Sequence, residues 1–315
     1  MDCGALMVKV RVVSNAESTV SGEVVSVQQG VDGVSLRPFR STDLAAAHAL
    51  SEEVRWPHRL TDWEFVLQLG DGIVAERDGE VIGTALAWRW GPRHATLGLV
   101  IVAPRCQGQR IGQRLMRGLL DLLQGRSILL HATPEGRGLY ERLGFVQIGE
   151  VRQHQGNAIQ GPVIALETGT RLRPASRRDT SRLTALDTAA GGMPRDTLIR
   201  RLLDIGETVV LDADGEARGF AILRRFGRGH VIGPVVAPDM MSARALIAHW
   251  ANVRAGRFIR VDTDFAAGLT EWLETLGLRR AGNPAAMVAG SALVRGTLVR
   301  GMPARQFALV SQALG

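Results

Sequence analysis

The sequence predicts an α/β protein, α+β in its layout, made of two tandem copies of one domain. Each copy is expected to be a mixed, mostly antiparallel sheet flanked by helices. Three observations predict this. The 315-residue chain repeats itself at a nearly constant spacing, each copy joins two strand-like runs through Asp-Gly, and each then places a buried strand before a helix. A chain of this length can bury two cores.

The repeat is visible in short identical anchors. Leu36-Arg37-Pro38 returns as Leu172-Arg173-Pro174, and Val102-Ala103-Pro104 returns as Val236-Ala237-Pro238. Anchors that keep their order and spacing over so long a stretch indicate duplication of a whole domain. We therefore predict the following division of the chain: an N-terminal extension over residues 1-33, a first domain over 34-167 and a second over 168-315.

The elements of both copies follow the same order. Asp78-Gly79 and Asp214-Gly215 are strong two-residue turn signals between strand-like runs. The helix that begins at Ile111 has its apolar residues at helical spacing and arginines on the opposite face. The predicted strands lie at 34–38, 73–76, 81–90, 97–102 and 128–132 and, in the second copy, at 170–174, 208–212, 218–225 and 305–314. Helical regions are predicted over 42–69 and 178–203.

Composition excludes several classes of protein. No apolar run approaches the ~20 residues of a membrane span and the N-terminus has no signal-peptide pattern, so we expect a cytoplasmic protein without a membrane partner. Two cysteines, Cys3 and Cys106, are too few for a disulfide framework or a cysteine-rich zinc site. The net charge of +7 comes from scattered arginines without a basic block, which favours an anionic cofactor over nucleic acid.

A glycine-punctuated turn follows the buried strand of the first copy. The apolar run Leu97–Val102 leads through Pro104 into Gln107-Gly108-Gln109-Arg110-Ile111-Gly112, where a helix begins. Backbone N–H groups and the helix dipole at such a turn hold phosphate oxygens. A P-loop is excluded because the single lysine of the chain is Lys9, and the glycine spacing does not match G-x-G-x-x-G. The turn therefore predicts a phosphorylated cofactor other than a nucleoside triphosphate or dinucleotide.

This turn resembles the Q/R-x-x-G-x-G/A motif that binds the acyl-CoA pyrophosphate in the GNAT superfamily of N-acetyltransferases. The later run Leu139-Tyr140-Glu141-Arg142-Leu143-Gly144-Phe145 resembles the second landmark of that family. Two positions depart from the pattern: Arg110 stands where glycine is preferred, and Thr133 where many members have asparagine. The resemblance extends from Leu36 to Gly290, with specific motifs in the first copy and only a framework in the second.

The resemblance implies two tandem GNAT-like domains that use acetyl-CoA, or another acyl-CoA, as co-substrate and no metal. It places the pantetheine arm along one strand, where a backbone N–H polarises the thioester carbonyl. Tyr140, the single tyrosine of the chain, takes the position of the general acid that faces the leaving sulfur. The expected cofactor-binding residues are Val100, Ile101, Val102, Gln107, Gly108, Gln109, Arg110, Ile111, Gly112, Gln113 and Thr133.

The second copy has lost this chemistry. Where the first copy has its glycine turn, the second has Pro238-Asp239-Met240-Met241-Ser242-Ala243, which lacks glycine and carries a carboxylate. Tyr140 corresponds to Leu273. A carboxylate would repel a pyrophosphate, so this copy is predicted to be degenerate and each chain to hold one working site.

The acceptor side is less defined. We expect an N-acyltransferase acting on a primary amine of a small molecule, in a monomer or homodimer; the alternatives are a protein or peptide amine as acceptor, or a non-catalytic acyl-CoA-sensing protein. An aromatic pocket or ordinary core packing would each explain Trp56, Trp63, Trp88 and Trp90. The candidate general bases are Glu52, Glu53, His58, His94, Thr96, Asp262 and Asp264, unless the amine arrives neutral and needs none.

Overall fold

The computed structural model describes residues 8–9, 26–29, 33–291, 295, 297–299 and 302–315. Cys3 and most of the predicted extension lie outside the described residues. By their internal contacts the residues form two compact units: the first holds the described residues up to Trp88 together with Leu97–Gly125, and the second holds Arg89–Thr96 and Arg126–Gly315. The domain boundaries expected after residues 33 and 167 stay a prediction.

The first unit contains an antiparallel sheet with three helices. Its strands are ordered β1-β2-β3-β4-β5-β6, and β5 and β6 continue into the residues of the second unit. The strands are β1 Val8–Lys9, β2 Ser26–Gln29, β3 Val34–Pro38, β4 Asp71–Arg77, β5 Glu80–Trp90 and β6 His94–Val102. The helices are α1 Leu44–Glu53, α2 Leu60–Leu67 and α3 Ile111–Leu122.

The second unit contains a longer sheet, ordered β7-β15-β8-β13-β12-β11-β10-β9, in which β12 and β13 run parallel and the other neighbouring strands run antiparallel. Its helices are α4 Pro134–Arg142, α5 Thr180–Gly191, α6 Asp196–Ile205, α7 Met240–Val253 and α8 Thr270–Thr275. Its strands are β7 Ser127–Ala132, β8 Val146–Asn157, β9 Thr170–Pro174, β10 Glu207–Ala213, β11 Glu216–Phe226, β12 Gly229–Ala237, β13 Phe258–Asp264, β14 Arg279–Gly282, β15 Ala285–Ala289, β16 Leu298–Val299, β17 Met302–Pro303 and β18 Arg305–Ala308.

Both Asp-Gly turns form the hairpins that the sequence predicts. Asp78 and Gly79 have φ of +52° and +80°, and Asp214 and Gly215 have φ of +56° and +82°. Two successive left-handed residues are what a two-residue hairpin turn of type I′ requires, and Asp-Gly supplies them at low cost. The hairpins β4–β5 and β10–β11 are therefore confirmed, each slightly longer than expected.

Helix α3 covers the first sheet with the predicted apolar face. Ile111, Leu115 and Leu119 are buried. Gly118 lies on the same side, where a Cβ atom would stand only 2.9 Å from Ile73 of β4, so the helix approaches the strand closely at this glycine. This packing holds the N-terminus of α3, and the glycine turn before it, against a rigid sheet.

The repeat extends to an ion-pair network. Arg37 on β3 contacts Asp43 at 2.7 Å and Glu76 at 2.6 Å. Its counterpart Arg173 on β9 contacts Asp179 at 2.8 Å and Asp212 on β10 at 2.7 Å. Each arginine thus ties the first strand of its copy to a helix start and to the hairpin. The duplicated geometry supports the interpretation of the chain as two copies of one domain.

Within the second unit, strands far apart in sequence interleave. Strand β15 lies between β7 and β8, with Met287 opposite Leu130 on one side and Gln147 on the other. The later part of β8 pairs with β13, where His154 lies opposite Val261. A strand of the second copy therefore completes the pairing of β7, and a strand of the first copy completes that of β13.

Candidate functional site

The turn after β6 has the backbone shape of an anion-binding loop. Gly108 and Arg110 are both left-handed, with φ of +78° and +59°, and Gln109 lies between them. The Gln107 side chain donates to the carbonyl of Val102 at 3.1 Å, which ties the loop back to its strand. Left-handed residues alternating with other conformations turn successive N–H groups into one concavity, a nest for anions.

The N–H groups of this loop have no partner within the described residues. The backbone N–H groups of residues 108–113 donate to no described acceptor, and the first helical bond of α3 runs from Arg114 to the carbonyl of Arg110 at 3.1 Å. No side chain caps the helix, and residues 107–110 are exposed. Open donors at the positive end of a helix are favourable partners for phosphate oxygens. The predicted residues Gln107 to Gln113 are thus brought together at one point.

Three arginines in or beside the loop differ in whether a carboxylate pairs with them. Arg77 donates to the Gln109 side chain at 2.7 Å. Arg105 is held by two carboxylates, Glu53 at 3.3 Å and Glu80. Arg110 is exposed, and none of the described residues pairs with its guanidinium. Of these three arginines, Arg77 and Arg110 have no carboxylate partner among the described residues.

A residue with a left-handed backbone, here called the Leu99 bulge, interrupts β6 just before the predicted cofactor-binding residues. Leu99 has φ of +52°, a left-handed conformation that costs a leucine about 1–3 kcal/mol. Its carbonyl accepts a hydrogen bond from the Thr84 hydroxyl at 2.8 Å, which holds it in place. The backbone is redirected just before Val100, Ile101 and Val102, of which only Ile101 is buried. No sequence signal marks this bulge, because leucine does not favour the conformation.

The other predicted site residues lie on α4 in the second unit. Thr133 is the N-cap of this helix, its hydroxyl accepting the N–H of Gly136 at 3.3 Å, and Pro134 occupies the first helical position. The Thr133 hydroxyl is thus already engaged in ordering the helix. Tyr140 follows in the last turn.

The Tyr140 ring is buried and held edge-on against Phe145, with ring centres 6.0 Å apart. Gly136 leaves space for the ring, since a Cβ atom there would stand 3.3 Å from it. Burial raises the pKa of Tyr140 to about 12, so the phenol keeps its proton at neutral pH. No described residue hydrogen-bonds the hydroxyl, which leaves it available to a ligand.

Most candidate bases are occupied by structural roles. Thr96 accepts a hydrogen bond from the Trp90 indole at 3.0 Å, and Asp262 is bound by Arg260 at 2.7 Å. Asp264 caps the short turn that follows it by accepting the N–H of Ala266 at 2.9 Å. These three are poorly placed to accept a proton from a substrate.

The remaining candidates are more accessible. Glu52 and Glu53 are exposed, with Glu52 3.8 Å from His48. His94 is partly buried, and its pKa is lowered by burial and by Arg93. His58 is partly buried beside two indole rings of the first unit.

Of the two explanations that the sequence left open for the tryptophans, the structure favours core packing over an aromatic pocket. Trp63, Trp88 and Trp90 are buried, and each indole N–H donates within its own unit. Trp56 alone is partly exposed, 5.9 Å from the ring of His58. An aromatic acceptor pocket built from all four is therefore not formed.

The counterpart loop of the second copy is closed by its own side chain. Asp239 accepts the N–H of Ser242 at 2.8 Å, and the Ser242 hydroxyl donates to the same carboxylate at 3.0 Å. No residue from 238 to 243 is left-handed. The carboxylate therefore caps α7 where the first copy leaves its donors open.

The strand beside that loop is also occupied. The repeat aligns Val102 with Val236, and β18 pairs with this part of β12, with Gln306 opposite Val236. Strands β12 and β13 are paired at His230 and Val231, nearer the start of β12. Beyond that point β18 lies against β12, and the next residue, Leu309, donates to the carbonyl of Asp262 on β13 at 2.8 Å.

Two family models match the chain. A model described as the acetyltransferase (GNAT) family matches residues 40–145, and one described as an acetyltransferase (GNAT) domain matches residues 183–297. The chain belongs to the GNAT acetyltransferase family. Both copies of the repeat are thus GNAT domains, as predicted.

Two proteins named as N-acetyltransferases resemble this GNAT chain. An uncharacterised N-acetyltransferase of Bacillus subtilis, YitH, is 28% identical over 187 residues, which cover 58% of this chain and 65% of YitH. A phosphinothricin N-acetyltransferase of Alcaligenes faecalis is 35% identical over 91 residues, 25% of this chain and 46% of that protein. The chain thus spans less than two thirds of the length of each relative.

Solved structures show the same fold. A putative acetyltransferase from Pyrococcus horikoshii aligns with a TM-score of 0.73 at 19% identity, over 91% of this chain and 97% of that one. A tandem GNAT protein from the clavulanic acid biosynthesis pathway aligns with a TM-score of 0.62 at 14% identity, over 82% and 99%. Across the described residues, no helix is long and apolar enough to span a membrane, and no cluster of three or more His, Cys, Asp or Glu could hold a metal ion.

Proposed function

We propose that this GNAT protein transfers the acetyl group of acetyl-CoA to a primary amine of a small molecule. The observation that carries the proposal is the run of six open N–H groups at residues 108–113, at the start of a helix held on a rigid sheet. In a chain of this family, the ligand that fits such a loop is the pyrophosphate of an acyl-CoA.

The strand before the loop has a matching role in the proposal. The pantetheine arm extends along residues 100–102, just after the Leu99 bulge, and a backbone N–H there polarises the thioester carbonyl. The amine nitrogen attacks that carbonyl carbon, an N–C bond forms, and the C–S bond breaks. CoA leaves as the thiolate.

Tyr140 stabilises the departing sulfur by a hydrogen bond. With its pKa near 12 and a thiol near ~8.5, complete proton transfer would be uphill by about 5 kcal/mol. The phenol therefore acts as a fixed donor to the developing thiolate, and the thiol takes its proton from solvent. Its unpartnered hydroxyl and its ring packed on Phe145 suit a donor of fixed direction.

The second copy serves as a scaffold. Its helix start is capped by Asp239, and the strand segment around Val236 is paired with β18, so neither the phosphates nor the pantetheine arm has a place there. Pro234, at the position equivalent to Val100, has no N–H to offer a thioester. Each chain is accordingly expected to use one acyl-CoA.

The test is a screen in which amines are incubated with acetyl-CoA and the release of free CoA is measured. Acetylation of at least one small amine, with rates that depend on Tyr140, supports the proposal. Transfer to peptide amines alone would assign a protein or peptide substrate. Tight binding of acetyl-CoA without transfer to any amine would contradict the enzyme and indicate an acyl-CoA sensor.

A further inference from the structure

Thr84 lies in the middle of β5 and is fully buried. Its hydroxyl donates to the carbonyl of Leu99 on β6 at 2.8 Å, and both residues belong to the first unit. A valine has nearly the same shape and suits a buried strand without bringing a polar atom into the core. The hydroxyl is therefore the part of Thr84 that needs an explanation, and its partner is the Leu99 bulge.

The left-handed backbone of Leu99 needs support from its surroundings. Its φ of +52° is a conformation that residues with a Cβ atom disfavour. Such a conformation persists only where neighbouring groups hold it in place. The hydrogen bond from Thr84 does this directly, because it acts on the carbonyl of the left-handed residue itself.

The Leu99 carbonyl and the N–H of Val100 belong to one peptide group. This peptide bond is trans, and a trans peptide is planar with its C=O and N–H pointing in opposite directions. The hydroxyl of Thr84 draws the carbonyl toward β5, so the Val100 N–H points away from Thr84. A side chain that fixes the carbonyl thus also fixes the direction of the next N–H.

The strand segment after the bulge is tied to β5 at its other end as well. The N–H of Ala103 donates to the carbonyl of Ile82 at 2.9 Å. Between the two bonds, a Cβ atom on Gly83 would stand 3.0 Å from the carbonyl oxygen of Ile101, so the strands approach closely there. Three consecutive residues of β5 therefore contact this segment, and Thr84 is the one that holds it through a side-chain hydrogen bond.

We propose that Thr84 is a positioning residue that directs the Val100 N–H at the carbonyl oxygen of the bound thioester; this rests on the proposed function. The N–H donates to that oxygen as negative charge develops on it during attack by the amine. Without the hydroxyl, the peptide after Leu99 is free to rotate and the donor loses its direction. Binding of the pyrophosphate is unaffected, because residues 108–113 offer their own N–H groups.

Two substitutions separate the hydroxyl from the shape of the side chain. Thr84→Val removes the hydroxyl and keeps the shape, whereas Thr84→Ser keeps the hydroxyl and removes a methyl group. We expect kcat to fall roughly ten- to a hundredfold in the valine variant and less than about threefold in the serine variant, with the Kd for CoA unchanged in both. An effect of stability alone would not follow this order, since serine loses a buried apolar contact that valine retains.

Infrared spectra of bound acetyl-CoA, labelled with carbon-13 at the thioester carbonyl, give a readout that does not depend on turnover. A hydrogen bond to the carbonyl lowers its stretching frequency, so the shift from free acetyl-CoA should be large in the wild type and in Thr84→Ser, and smaller in Thr84→Val. The matched control is Thr184→Val. Thr184 on α5 is also buried, and its hydroxyl donates to the carbonyl of Ser181 at 3.0 Å. This control should change neither kcat nor the frequency.

The pair Thr84→Ser and Thr84→Ala differs by the hydroxyl alone and repeats the comparison if the valine variant does not fold. In a folded Thr84→Val variant, an unchanged kcat or an unchanged frequency shift would overturn the inference and leave the acetyltransferase intact. A wild type that binds acetyl-CoA but acetylates no amine would overturn the proposed function, while the frequency comparison would still decide the role of Thr84. A wild type that does not bind acetyl-CoA would overturn both.

Discussion

Asp239 accepts a hydrogen bond from the backbone N–H of Ser242 at the start of α7, at 2.8 Å. At the equivalent place in the first copy, the N–H groups have no described acceptor. One side chain thus fills in the second domain the role that a phosphate is proposed to fill in the first.

From this difference we expect one CoA per chain in isothermal titration calorimetry. Asp239→Ala should cost about 1 kcal/mol of folding stability because a helix cap is lost. It should not raise the stoichiometry, because β18 still pairs with the strand at Val236. Binding of two equivalents by the wild type would show that the second domain is a working site.

The loop prediction concerns Gly108. Gly108→Val should weaken CoA binding at least tenfold, because a β-branched residue resists the left-handed conformation that shapes the nest. The matched control is Gly125→Val: Gly125 has φ of +76° and, like Gly108, open space around a Cβ atom. Both variants should lose similar stability, and equal CoA affinity in the two would refute the assignment of the loop.

For the proposed donor to sulfur, Tyr140→Phe should lower kcat by roughly ten- to a thousandfold with little change in KM for acetyl-CoA, because the hydrogen bond strengthens only as the thiolate develops. The ring and its contact with Phe145 are retained in this variant. Steady-state kinetics on an identified amine would check it. Undiminished turnover would mean that another group stabilises the sulfur.

His131 on β7, kept neutral by burial, makes a prediction about acid stability. Its pKa is near 4 in the folded protein and near ~6.5 unfolded, so the unfolded state binds more protons between these values and stability falls as the pH drops through that window. Between pH 7 and pH 5 this amounts to about 2 kcal/mol. Urea unfolding should show a smaller loss for His131→Asn than for the wild type. Equal losses would mean that the histidine is not held neutral.

The local parts of the fold could be predicted from the sequence. Asp78-Gly79 and Asp214-Gly215 placed both hairpins, because few residue pairs tolerate two left-handed positions in a row. The spacing of Ile111, Leu115 and Leu119 identified the buried face of α3, since helical periodicity depends only on residues three or four apart.

Features that depend on residues far apart in the sequence could not be predicted. The His131 ring is held by the carbonyl of Gln312, which is distant from it in sequence. A strand was predicted over 305–314, but nothing in its residues indicated that only Arg305–Ala308 would form it or that it would pair at Val236. The Leu99 bulge is imposed by its surroundings against the preference of leucine.

The interleaving of β15 with β7 and β8 also sets an order of events during synthesis. A ribosome releases β7 and β8 well before Ala285–Ala289 exist, so the facing edges of these two strands wait without their partner. Open strand edges invite pairing with other chains. The nascent first domain therefore depends on a strand still to be translated, and a gene cut after residue 167 would encode a sheet with a missing middle strand.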